Sequence, residues 1–105
     1  MNILFVNPPF KAEYGKFSRE ARSAMITNSG VIYYPLWLLY AAGVCQNEGF
    51  EVDFIDAPAK KYNHDQTIDI IKKKEKEYAL IVLDTSTPSI YNDVEFGAKL
   101  KKCFH

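Results

Sequence analysis

The sequence predicts an open α/β sheet of parallel strands, because three short apolar runs alternate with three segments of helical character. The runs at Ile3 to Val6 and Ala79 to Leu83 are apolar throughout, whereas Glu51 to Asp56 alternates for part of its length. Unbroken apolar runs mark strands buried on both faces, and partial alternation marks a strand near an edge. Strand-helix alternation implies right-handed crossovers, and the most economical arrangement places the first strand between the second and the third, order 2-1-3.

Each element has its own signals. The first strand closes at Asn7-Pro8-Pro9, and from Pro8 to Tyr34 no hydrophobic period is sustained. A connection of that length inside one domain suggests a functional or mobile loop. Pro35 suits the first turn of a helix and Gly49 suits a left-handed cap, so the first helix is expected over about Pro35 to Glu48. Leu36, Trp37, Leu38, Leu39, Tyr40, Ala41, Ala42 and Val44 cover nearly all its directions, so something besides the sheet is expected to cover its outer side. Asn63 with Gln66 has the spacing of a capping box, and Ile68 and Ile71 oppose Lys72, Lys73, Lys74 and Lys76 in an amphipathic second helix. The lysines are read as a solvated face that also complements the helix dipole. A third helix starts at Ser89 or at Asn92, where Asn92 and Glu95 repeat the capping-box spacing, and runs to about Lys102.

Composition narrows the function. A chain of 105 residues, 48% hydrophobic and 25% charged, is expected to form one soluble domain with no second domain. Thirteen basic and thirteen acidic side chains cancel, so no overall field draws nucleic acid or an anionic membrane. Val31 to Cys45 is interrupted by Pro35 and Gly43 and is too short for a membrane span. Without a signal-peptide pattern, the expected location is cytoplasmic. Cys45 and Cys103 form neither a disulfide framework nor a CxxC motif. In the 2-1-3 order nothing further in the sequence pairs with the third strand's outer edge. The sheet is therefore expected to be incomplete, the chain to be a fragment of a longer protein, and the fragment to form a homo-oligomer.

In open parallel sheets, ligands bind at the carboxyl ends of strands beside the point where strand order reverses. There the sequence brings Asn7-Pro8-Pro9-Phe10, Asp56-Ala57-Pro58 and Asp84-Thr85-Ser86-Thr87-Pro88 together. Thr85, Ser86 and Thr87 offer hydroxyls beside a helix start, which suits a phosphate or an amide-rich ligand; their plainer reading is helix capping and turn formation. The prolines after Asn7 and the missing GxGxxG pattern argue against NAD. His64, at a predicted helix start, and His105 read as capping or surface histidines rather than members of a triad. Arg19 and Arg22, with Tyr14 and Phe17 nearby, are read as solvated in the long loop.

Five segments carry a resemblance: Asn7-Pro8-Pro9-Phe10, Phe17-Ser18-Arg19-Glu20, Tyr33-Tyr34-Pro35-Leu36-Trp37-Leu38, Ile55-Asp56-Ala57-Pro58-Ala59, and Asp84 through Asp93. In that order they resemble the N-terminal cobalamin-binding domain of cobalamin-dependent radical-SAM proteins. The resemblance covers essentially the whole chain. It implies a Rossmann-like, flavodoxin-like three-layer fold, with residues 1–105 as the N-terminal part of the domain. It also implies cobalamin as ligand, with Asn7, Pro8 and Pro9 shaping the first loop and Thr85, Ser86 and Thr87 facing the cofactor.

In such proteins a following barrel holds a [4Fe-4S] cluster and S-adenosylmethionine, and the pair performs methyl transfer or ring formation. The barrel of the parent chain is the expected partner. Two departures stand out. No DxHxxG motif follows the first strand, so a histidine-ligated cobalt is not expected, and no catalytic residue or metal ligand is assigned in this chain. The CxxxCxxC cluster motif is absent, so the chain alone is not expected to carry the radical step. The alternative is a cofactor-free flavodoxin-like or receiver-like interaction domain. Asp84 would suit a receiver's phosphorylated aspartate, but Asn7 does not supply its acidic pair. An independent small enzyme ranks last, since no nucleophile-base pair is visible.

Overall fold

The computed structural model describes residues 1–10 and 35–104. Its elements are β1 (Asn2–Asn7), α1 (Leu36–Asn47), β2 (Glu51–Asp56), α2 (His64–Lys73), β3 (Leu80–Leu83) and α3 (Ile90–Cys103), with a 3-10 turn at Thr87–Ser89. The sheet is parallel, in the expected order β2-β1-β3. Asn2 to Asn7 pair in register with Glu51 to Asp56, and Ile3 to Val6 with Leu80 to Leu83. The long connection, with the Phe17 to Glu20 segment, Tyr14, Arg19, Arg22, Tyr33 and Tyr34, lies outside the described residues, as does His105.

Strand parity divides the core into two layers. Leu4 and Val6 of β1 join Ile55, Ile68, Ile71, Phe96 and Leu100, so α2 and α3 cover one face. Ile3 and Phe5 meet Leu38 and Ala42, so α1 covers the other. This is the consequence of right-handed crossovers: the path from β1 to β2 and the path from β2 across β1 to β3 run in opposite directions, which puts their helices on opposite faces. The fold is α/β in three layers, consistent with a Rossmann-like arrangement.

Local signals fix the boundaries. Asn63 accepts from the Gln66 N–H at 2.8 Å while Gln66 accepts from the Asn63 N–H at 2.9 Å, closing the capping box. Gly49 sits at φ +94°, where any side chain would be strained, and turns the chain from α1 into β2. Lys72, Lys73, Lys74 and Lys76 are exposed. Two expectations change. Asn92 does not cap α3; the helix starts at Ile90 after Ser89, and Asn92 is buried inside its first turns. The outer side of α1 stays exposed: only Leu38 and Ala42 of that helix are buried, while Trp37 is 62% and Tyr40 63% exposed.

Candidate functional site at the carboxyl ends of the strands

At the carboxyl end of β1 the chain is tied to both neighbours. The Asn7 amide donates to Asp56 Oδ1 at 3.0 Å, and the Ala57 N–H donates to the Asn7 carbonyl at 3.2 Å. On the other side the Asp84 N–H donates to the Val6 carbonyl at 3.2 Å. Asn7, Pro8 and Pro9 are buried. The three predicted segments therefore do converge. Thr85 and Thr87 are exposed and Ser86 is half-buried.

The polar groups after β3 form one directed network around Asp93, a buried carboxylate in the first turn of α3. Asp93 Oδ2 accepts from Thr85 Oγ1 and from Ser89 Oγ, each at 2.7 Å, and Oδ1 accepts from the Asn92 amide at 3.0 Å. Because Ser89 directs its proton to Asp93, Ser86 Oγ is the donor in its 2.7 Å contact with Ser89 Oγ. Backbone donors are engaged as well: the Thr85 N–H meets Asp84 Oδ1 at 2.9 Å and the Ser86 N–H meets Ser89 Oγ at 3.2 Å. A negative charge at a helix N-terminus also complements the dipole. The chemical result is specific. With their protons turned inward, the Thr85 and Ser86 hydroxyls are left to accept further hydrogen bonds.

A second polar chain was not legible in the sequence. The Asn92 amide donates to the Pro9 carbonyl at 2.9 Å as well as to Asp93, which leaves its Oδ1 as the acceptor. His64 Nε2 lies 3.0 Å from that oxygen, so Nε2 carries the proton and Nδ1 accepts from Lys99 Nζ at 3.2 Å; this tautomer follows from the network. The ring is buried and stands edge-on to Phe96, with centroids 5.4 Å apart. Glu95 Oε2 is 3.9 Å from Nδ1. His64 is thus neither a surface nor a capping histidine: it links α2 through Asn92 to the β1 loop. The only hint in the sequence was a histidine followed, 28 residues later, by an asparagine on another helix, a spacing with no local meaning.

Among the described residues no group of three or more His, Cys, Asp or Glu side chains is placed to hold a metal ion, and no helix is long and apolar enough to cross a membrane. Cys45 and Cys103 are free thiols. Comparison of the chain with protein-family models, curated proteins and solved structures finds no match.

Proposed function

We propose that this chain is a cobalamin-binding module of the kind that precedes the barrel of radical-SAM enzymes. The observation that carries the reading is the turn Thr85-Ser86-Thr87, which displays oxygen acceptors at the head of α3 beside the carboxyl end of β1. A corrin is edged with carboxamides, whose N–H groups need acceptors such as the hydroxyl oxygens of Thr85 and Ser86. The residues thus fit one wall of such a site: Thr85 and Thr87 as contacts, with Ser86, Asn7, Pro8 and Pro9 holding the shape. When bound, cobalamin supplies a methyl-carrying or redox-active cobalt; this chain's part is to bind and orient it. His64, with its ring nitrogens on Asn92 and Lys99, is not the cobalt ligand. In the full protein the partner would be the barrel bearing the [4Fe-4S] cluster and S-adenosylmethionine, and the setting cytoplasmic.

The test is retention of hydroxocobalamin by the purified chain after desalting, read from its visible spectrum. Binding that falls about tenfold in Thr87→Leu, with unchanged circular dichroism, supports the reading. No retention by the unmodified chain, or equal retention by the variant, counts against it.

The cofactor-free interaction domain is favoured by a different observation, the exposed apolar side of α1 formed by Leu36, Trp37, Leu39, Tyr40 and Val44. Absence of any cobalamin retention in that assay would turn the reading toward it.

A further inference from the structure

The edge of β3 is the second surface with a definite chemical demand. Among the described residues β3 pairs only with β1. The Leu4 to Ile81 register and the Asp84 N–H on the Val6 carbonyl turn the N–H and C=O groups of Val82 inward to β1, so the two-residue alternation of a strand turns those of Ile81 and Leu83 outward. Leu80 is 54% exposed. Beside this edge runs a groove of about 710 Å³, bounded by Leu80, Ile81 and Leu83 of the strand and by Gly97, Leu100 and Phe104 of the third helix and its end. Gly97 keeps that helix close: a Cβ there would stand 3.2 Å from Leu83 Cδ1. The demand is for an extended segment that offers main-chain donors and acceptors and places apolar side chains on both of its faces.

We infer that the occupant is β3 of a second copy, paired antiparallel across a two-fold axis to give one continuous six-stranded sheet. β3 meets the demand itself. Its residues Leu80 to Leu83 are apolar on both faces and uncharged, so no like charges oppose each other across the junction. The ends of the edge select the direction. At the amino end the groove is lined by Lys101 from the close of α3 and by Lys76 and Glu77, with Lys76 held by Asp53 of β2. At the carboxyl end the strand leads into Asp84. Antiparallel pairing sets the Lys101 end of one copy against the Asp84 end of the other, whereas parallel pairing would set Lys101 against Lys101. A two-fold contact also closes after two copies, whereas a head-to-tail contact would continue into a fibre.

Sedimentation or light scattering of the chain is expected to give a dimer, with the Ile81 and Leu83 amides protected from hydrogen exchange. In Leu80→Lys an ammonium group replaces an exposed apolar side chain at each end of the junction and must be desolvated there, so the dimer is expected to weaken about tenfold or more with the monomer's circular dichroism retained. Lys101→Glu combined with Lys102→Glu is expected to weaken it less. A folded monomer at high concentration overturns the inference, whether its Ile81 and Leu83 amides exchange or are protected by some other part of the chain. So does a dimer that Leu80→Lys leaves intact, which would place the contact elsewhere.

Discussion

The two faces of the sheet are built differently, although β1 feeds both by simple alternation. On one face two helices bury Ile68, Ile71, Phe96 and Leu100 against Leu4 and Val6, and the same helices bond each other through His64, Asn92 and Lys99. On the other face α1 contributes only Leu38 and Ala42 against Ile3 and Phe5. Its first residue position has no side-chain cap, and its closing turn is held by backbone groups alone. Two helices side by side shield one another, so polar side chains between them are buried, must find partners, and thereby fix the packing. Among the described residues α1 has no such helical neighbour on its face. It docks by shape and leaves its other sides facing outward.

If this contrast is right, the largest loss comes from the two-helix face. Phe96 is wholly buried at the centre of that core, and Phe96→Ala is expected to cost about 3–5 kcal/mol. Leu38→Ala removes a smaller side chain at the rim of the thinner layer and is expected to cost nearer 2 kcal/mol. Urea unfolding of both variants checks the order. Equal losses would show that α1 is held as tightly as its opposite pair.

Next in size is the link that joins the two-helix face to the candidate site. Asn92→Ala strips partners from His64, from Asp93 and from the Pro9 carbonyl, and is expected to cost about 1–3 kcal/mol. Hydrogen exchange should also quicken in the residues that follow β1. Exchange confined to α3 would deny the connection.

Asn92 also shows why part of the molecule could be read in advance and part could not. Asn63 and Asn92 share one pattern, an asparagine with Gln or Glu three residues on. At Asn63 the pattern was sufficient, because both bonds of a capping box are local. At Asn92 a carbonyl 83 residues away took the amide, and no local pattern encodes that partner. Strand order was legible for a similar reason: apolar runs and crossover handedness constrain it without knowledge of any particular contact. The lack of cover on α1 was not legible, since the sequence gives the apolar character of a helix but not the number of its neighbours. The Thr85 to Thr87 turn stands between these cases. Its position was readable, whereas the inward direction of its protons depends on Asp93, which only the folded helix brings beneath it.

A smaller effect tests the two-helix face at the opposite end of the sheet. Tyr78 and Lys76, just before β3, reach Asp53 of β2 at 2.6 Å and 3.0 Å and so span the central strand. The Tyr78 bond, then Lys76, holds the Asp53 carboxyl below its ordinary 3.8, with desolvation opposing in part. Desolvation first, and then the same bond, pushes the Tyr78 hydroxyl above its ordinary 10.0. As pH falls below about 4 the unfolded carboxyl takes its proton first, so Asp53's contribution is lost there. As pH rises beyond about 10 the unfolded phenol ionises first, and Tyr78's contribution is lost in its turn. Tyr78→Phe should therefore cost about 1 kcal/mol near pH 7, with the gap to the unmodified chain narrowing at pH values below about 4 and above about 10. A gap that stayed constant across that range would mean the bond contributes nothing.

The smallest expected effect lies on the outer side of α1, and it sharpens the contrast most. Trp37 and Tyr40 sit one turn apart, ring centroids 6.1 Å from each other, both more than half exposed. Neither belongs to the core layer formed by Ile3, Phe5, Leu38 and Ala42. Replacing both with serine removes apolar surface that folding leaves open to water, so stability should change by no more than about 0.5 kcal/mol per site. The apolar patch itself should disappear, and binding of a hydrophobic dye to the folded chain should fall with it. The two readouts separate two pictures of α1. Unchanged stability with less dye bound describes a helix that docks by one side and offers the other to a partner. Stability that dropped by about 3 kcal/mol or more, the cost of truncating a buried aromatic, would show both rings to be covered in solution. In that event the thinner face would be as enclosed as its opposite, and the contrast between the two would disappear.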